Sequence, residues 1–384
     1  MSPLRVALFC DYAEEGWPSM DLTAGMLLNH FHAAEVLATR VQPIFQHYSH
    51  SRNVDRLLNR HFAYPLHALR HRDYDVFHII DHSYAQLIHS LPKERTVVTC
   101  HDTDTFRCLL TPPQEPRPLW FRAMSRHILN GLQKAAAVVC VSEATRSALV
   151  EHDLVDSARI QVIHNGVHPA YTSEPDSQFD HQAANLLGPR TNRVELLHVG
   201  STIPRKRIGD LLHIFAACRR QNPSLHLIRV GSPFTVEQQQ LASKLALDPH
   251  ITHLQNVPVN LLAAIYRRAA IVLLPSDSEG FGLPLAEAMA CGTPVAISHI
   301  PALLEVAGDA ASSYPVGDIT RWSSGLLSLL EERAKNGKNW YQRSALCRRQ
   351  ASLFSWSTNA REIASLYQTV LAQGHYRETP CGKS

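Results

Sequence analysis

The sequence predicts an α/β protein made of two Rossmann-like, doubly wound domains, and three observations carry that expectation. Short apolar runs of strand character alternate with helical periodicity along most of the chain. These runs fall into two series, separated by a polar, proline-bearing stretch at about 169–192. At 384 residues, with 45% hydrophobic and 18% charged side chains, the chain is long enough for two ordinary cores and too apolar for wholesale disorder.

The first series comprises "RVALFC" (5–10), "VFHII" (76–80), "TVVTC" (96–100), "AVVCVS" (137–142) and "IQVIHN" (160–165). The second comprises "VELLHVG" (194–200), "LHLIRVG" (225–231), "ITHLQNV" (251–257), "AIVLLPS" (270–276) and "TPVAIS" (293–298). Between the strands, Ile208, Leu211, Leu212, Phe215 and Ala216 form one buried helical stripe. From about 320 onward the chain is helical in character, with Trp356, Ile363, Leu366, Tyr367 and Val370 at helical spacing. The last residues, 376–384, are expected to fray. The boundaries that follow are a domain over 1–170, a linker over 171–192 and a second domain over 193–354.

Composition excludes several classes of function. A formal net charge of +3 is too small to hold a nucleic acid by bulk charge. The eight cysteines, Cys381 among them, are scattered without a CxxC pair and read as reduced thiols of a cytoplasmic protein. The N-terminus enters a strand at once, without the basic and long apolar regions of a signal peptide. No run reaches the roughly 18 apolar residues of a membrane span.

Ligands of open α/β sheets sit at the carboxyl ends of the strands, and two such places in the second half suit an anion. "HVGSTIPRKRIGDLL" ends a strand at Gly200 and offers Arg205, Lys206 and Arg207 ahead of a helix. Read alone, that basic run is more often a solvated helix start. In "SEGFGLPLAEAMACGTPV" (278–295), Glu279 stays on a loop, Pro284 fits the first helical position and Glu287 falls in the first turn. The amides of Phe281, Gly282 and Leu283 then point out of the helix start, where a phosphate is stabilised. A mere helix-dipole role for Glu287 explains neither the glycine pair nor the spacing of the two carboxylates.

The stretch Glu279–Glu287, with Gly280, Phe281, Gly282, Pro284 and Ala286 between, resembles the Glu-seven-Glu signature of the retaining glycosyltransferases of family 4 (group 1). "HVGSTIPRKRIGDLLHIFA", "VVCVSEATRSAL" and "VIHNGV" are similar to further elements of that family, so the resemblance covers most of the chain. It implies a GT-B fold, two Rossmann-like domains facing a central cleft, with a helix at about 355–375 packed back on the first domain. Glu287 would accept hydrogen bonds from both ribose hydroxyls, and Glu279 would hold the donor sugar, helped by the amides of 281–283. Lys206, assisted by Arg205, would neutralise the leaving diphosphate. Gly200, Ser201 and Val257 would line the nucleotide pocket. Many members carry an arginine where this chain has Ser201, so the second phosphate cation falls to Arg205 or Arg207.

In the first half, His101 and Asp102 follow the strand "TVVTC", and the resemblance gives the histidine a donor-sugar contact. Gly16, in the loop after the first strand, with Asp81, His82 and Asp102, is the candidate acceptor set. His78 and Tyr84 share the strand end of Asp81 and His82, but a metal site in this His-x3-His is less plausible in a chain of 23 histidines. No metal or resident cofactor is expected, the nucleotide-diphosphate sugar being a co-substrate.

The helix 118–135 sets Trp120, Phe121, Met124, Ile128 and Leu132 against Arg122, Arg126 and Lys134. It reads first as a domain helix packed on its sheet, and secondly as a peripheral anchor on the anionic inner membrane face. The expected activity is hexosyl transfer with retention, from a GDP-mannose or UDP-glucose type of donor to a glycan, lipid-linked sugar or small-molecule hydroxyl. The alternatives are a GT-B nucleotide-sugar epimerase or phosphorylase-like enzyme, and an inactive nucleotide-sugar-binding subunit.

Overall fold

The computed structural model describes residues 3–189, 193–335 and 337–378. Cys381 and the end of the terminal stretch, 379–384, lie outside the described residues. The chain forms two compact units, one holding the chain to Gly166 together with the stretch from Ser355 onward, the other Val167–Phe354.

The first unit is built on a parallel sheet of β1 (Leu4–Phe9), β2 (Val36–Val41), β3 (Val76–Ile79), β4 (Thr96–Cys100), β5 (Ala137–Cys140) and β6 (Ile160–Val162), in the order β2-β1-β3-β4-β5-β6. β3, β4 and β5 are buried along their whole length, which accounts for their largely apolar character, the buried polar pair His78 and Thr99 bonding each other across β3 and β4. The terminal helix, Trp356–Glu378, belongs to this unit and closes one face of its core with Ile363, Leu366, Tyr367 and Val370. Tyr367 is fixed by a 2.6 Å hydrogen bond between its hydroxyl and His78 Nδ1, and Asn359 donates to the carbonyl of His164 at 2.8 Å.

The second unit repeats the plan with β7 (Val194–Val199), β8 (Leu225–Val230), β9 (Ile251–Leu254), β10 (Ile271–Leu274), β11 (Val295–Ser298) and β12 (Ser312–Tyr314), in the order β12-β11-β10-β7-β8-β9. The helix Ile208–Gln221 buries the stripe Ile208, Leu211, Leu212, Phe215 and Ala216 foreseen from its spacing. Each of the larger of these side chains contributes roughly 1.5–3 kcal/mol by leaving water. The stretch 171–192, read as a linker, holds a helix of this unit, Ser177–Leu187, while its residues 190–192 lie outside the described residues. Asp176 caps that helix by accepting from the amides of Gln178 and Phe179, and Asp180 pairs with Arg267 at 2.6 Å.

Both sheets are doubly wound, so each has one point where successive connections leave in opposite directions. In the first sheet it lies between β1 and β3, and in the second between β7 and β10. Most of the candidate residues lie at the carboxyl ends of these two strand pairs, with His101 and Asp102 after the neighbouring β4 and Val257 after β9.

Candidate active site

In the second unit, β7 runs into Gly200 and β10 into Ser276 and Glu279. The two loops meet through charge. Lys206 Nζ donates to Glu279 Oε1 at 2.6 Å, Arg205 donates to Glu279 Oε2 at 3.0 Å, and Ser276 Oγ donates to Oε1 at 2.7 Å. Burial pushes the Glu279 carboxyl up, but Lys206 and Arg205 overcome it and hold the group below its usual range, ionised at neutral pH. A second bond from Arg205 to the carbonyl of Ser278 fastens the loop at 3.0 Å. Arg207, the other candidate cation, turns instead to Asp210 at 2.7 Å.

The helix after this loop, Leu283–Ala290, starts from Gly282 at φ 88°, a left-handed conformation that favours glycine. It begins one residue earlier than its proline suggests, because Gly282 makes the turn and Pro284 takes the second position. Glu287 consequently lies in the second turn, a correction to its expected first-turn place, and is buried rather than set at the helix mouth. Tyr266 donates to Glu287 Oε2 at 2.8 Å. Burial pushes the Glu287 carboxyl up to about 7, against the bonds from Tyr266 and Tyr171 that lower it. Phe281 is buried with its ring edge-on to Phe354, and Gly280 connects it to Glu279. Ser201 and Val257 are half-buried in the loops after β7 and β9. The two glutamates thus differ in state, one paired and charged, the other poised near neutrality.

The first unit gathers a second polar cluster at the ends of β1, β3 and β4. His82 Nδ1 lies 3.2 Å from Asp81, its Nε2 lies 3.7 Å from Asp102, and Ser83 donates its amide to Asp81 at 2.9 Å. His101 bonds the carbonyl of Ile80 through Nε2 at 2.8 Å, and since a carbonyl only accepts, that nitrogen carries the proton. Burial lowers the pKa of His101 in spite of Asp81, so the ring is neutral at pH 7. His78, by contrast, is a core residue, bonded on both ring nitrogens to Tyr367 and Thr99. Gly16 is an exposed turn glycine at φ 69°.

Several residues of the two clusters went unnoticed in the sequence. Asp11, two residues past β1, is buried beside Asp81, and burial followed by the Asp81 charge pushes its carboxyl well above the usual range. Arg60 reaches the same place, donating to Ser83 at 2.7 Å with its guanidinium over the Tyr84 ring at 4.1 Å. The position of Asp11 after a strand was the available signal, whereas Arg60 and Tyr171 come from segments without a motif, and Tyr266, inside the stretch "AAIYRRAAIVLLPSDSEGFG" that resembles the family's donor-site core, carries no local sign of its contact with Glu287.

Two doubly wound parallel sheets, with a cation–carboxylate set at the switch point of the second, define the GT-B class. The family profile "Glycosyl transferases group 1" matches residues 182–345, and "Glycosyltransferase Family 4" matches 27–171. The chain belongs to the group 1 glycosyltransferases of family 4. It is 28% identical over 287 residues to D-inositol 3-phosphate glycosyltransferase of Corynebacterium kroppenstedtii, a match covering 71% of this chain and 61% of that enzyme's length. It is 27% identical, again over 287 residues, to O-antigen chain mannosyltransferase B of Escherichia coli, covering 72% and 71% of the two chains. The fold resembles sucrose-phosphate synthase from Thermosynechococcus elongatus with a TM-score of 0.75 at 19% identity, over 96% of this chain and 100% of the other. Among the described residues no helix is long and apolar enough to cross a membrane, and no group of three His, Cys, Asp or Glu could hold a metal ion.

Proposed function

We propose that this protein is a retaining glycosyltransferase that moves a hexosyl group from a nucleotide-diphosphate sugar to an acceptor hydroxyl, without a metal ion. The observation that carries the reading is the set of Lys206, Arg205 and Glu279 at the β7/β10 switch point, beside the helix of Glu287. A diphosphate entering there would take over Lys206 and Arg205 from Glu279. The freed carboxylate would accept hydrogen bonds from the sugar hydroxyls, and Glu287 those of the ribose. As the bond from the anomeric carbon to the phosphate oxygen breaks, Lys206 stabilises the charge growing on the diphosphate. The acceptor oxygen bonds to the same face of that carbon, and its proton passes to the departing phosphate oxygen. His101, neutral and fixed by Ile80, would orient the sugar, and Asp81, His82 and Asp102 would hold the acceptor.

The similarity to a D-inositol 3-phosphate glycosyltransferase and an O-antigen chain mannosyltransferase favours glycan or glycoconjugate synthesis with a GDP-mannose or UDP-glucose donor. The seven described cysteines are free and buried, which supports a cytoplasmic setting. A thermal-shift panel of GDP-, UDP- and ADP-sugars tests the donor: one of them should raise the melting temperature, and none doing so would contradict the reading. His101→Ala should mainly lower turnover, and slow donor hydrolysis without acceptor distinguishes an active enzyme from an inactive subunit.

The helix Leu119–Lys134 supports a peripheral membrane contact as a second part of the proposal. Ile128 and Leu132 are buried, as in a domain helix, yet Leu119 and Trp120 are 78% and 60% exposed, and the helix carries Arg122, Arg126 and Lys134 without an acidic residue. Sedimentation with anionic vesicles should carry the protein down, and with neutral vesicles leave it in solution.

A further inference from the structure

We infer that Arg229, on β8, is the positioning residue of the diphosphate subsite: its buried guanidinium holds the Gly200–Thr202 loop from beneath so that two amides face the anion. This assignment rests on the donor reading above. Arg229 is fully buried, and its Nη2 donates to the carbonyls of Gly200 at 3.1 Å and Ser201 at 3.0 Å. Its Nη1 donates to the carbonyl of Ser232 at 2.6 Å and lies 3.1 Å from His253 Nε2, and the group stands over the Phe234 ring at 5.3 Å. Among the described residues no carboxylate pairs with it. A buried cation held only by carbonyls and rings is costly to desolvate and gains most from an anion nearby.

The loop geometry supplies the place for that anion. A trans peptide points its N–H opposite its carbonyl, so drawing the Gly200 and Ser201 carbonyls onto Arg229 turns the amides of Ser201 and Thr202 the other way. Neither amide makes a hydrogen bond among the described residues. Successive outward amides form an anion-binding nest. Lys206 borders it, its Cε 3.7 Å from where a Cβ on Gly200 would lie. The loop supplies no cation of its own before Arg205, since residues 201–204 are Ser, Thr, Ile and Pro. Gly231 makes the close approach feasible, because a Cβ there would fall 1.9 Å from the Gly200 carbonyl oxygen. His198 reports the local field: burial, then Arg229 and Lys206, lower its pKa well below the ordinary value.

The test is calorimetric titration of GDP, UDP, guanosine and uridine into the full chain, wild type against Arg229→Gln and Arg229→Lys. Glutamine keeps an N–H for the carbonyls but removes the charge. We expect it to weaken the nucleoside diphosphate by about tenfold or more and the matching nucleoside by less than about twofold, with lysine returning the diphosphate to within about threefold of wild type. Diphosphate affinity unchanged in Arg229→Gln, or diphosphate and nucleoside weakened by the same factor, would overturn the inference. If circular dichroism shows Arg229→Gln unfolded, Arg229→Met, uncharged and of similar reach, is read by the same criteria: a tenfold loss for the diphosphate with the nucleoside within twofold upholds the inference, and unchanged diphosphate affinity overturns it. Wild-type protein that binds neither diphosphate overturns the donor reading itself, an outcome distinct from a bound diphosphate indifferent to Arg229.

Discussion

Glu279 and Glu287 lie eight positions apart in one loop–helix segment, yet their surroundings shift their carboxyls in opposite directions. Glu279 is 95% buried at its side chain between Lys206 and Arg205, so Glu279→Gln would remove the carboxylate charge that both cations share. Urea unfolding at pH 7 should show a loss of roughly 3 kcal/mol. For Glu287 the sign runs the other way. Its carboxyl titrates at an ordinary 4.5 when unfolded and at about 7 when folded. The protonated form is favoured in the fold, so the stabilisation is complete below the unfolded value and is lost as pH rises through 7, by about 3 kcal/mol in all. Unfolding at pH 5.5 and pH 8 should therefore show a fall in wild type that Glu287→Gln largely removes. The spacing of these carboxylates was legible in the sequence. Their partners Tyr266 and Tyr171, and the cation Arg229 beneath the neighbouring loop, were not, because side chains that meet only through sheet topology leave no local pattern.

The strands show where that legibility ends. β5 and β10 stand out as unbroken apolar runs, and β3 and β4 as nearly so, because all four are buried throughout. β2 and β12, one outer strand of each sheet, escaped the reading: β2 is buried only at its two ends and includes Thr39 and Arg40, and β12 is a half-buried Ser-Ser-Tyr. An edge strand is fixed by its neighbour and needs little apolar character of its own. The helix 177–187 was missed within a polar stretch because only Ala183 and Leu187 are buried. The terminal helix was plain from its spacing, and its anchor can be measured. Tyr367→Phe removes the hydroxyl bonded to the buried His78, which should cost about 1 kcal/mol and lower the melting temperature by a few degrees.

Across the whole chain, the same doubly wound plan carries two different polar sets. The first unit ends its central strands in Asp11, with its carboxyl pushed up, Asp81, with its carboxyl held low, and His101, a neutral imidazole. The second ends them in Gly200, Lys206 and Glu279, a glycine beside a cation–carboxylate pair. On the proposed function, this second set binds a nucleotide-diphosphate sugar, with Glu287 on the ribose. Calorimetric titration of GDP-mannose and UDP-glucose into wild type and Glu287→Ala tests it most directly. Saturable one-to-one binding of one of them to wild type is expected, weakened by about tenfold or more in Glu287→Ala while the variant stays folded. Equal affinity of the two proteins for the donor, or no binding of either sugar nucleotide to wild type, would contradict it.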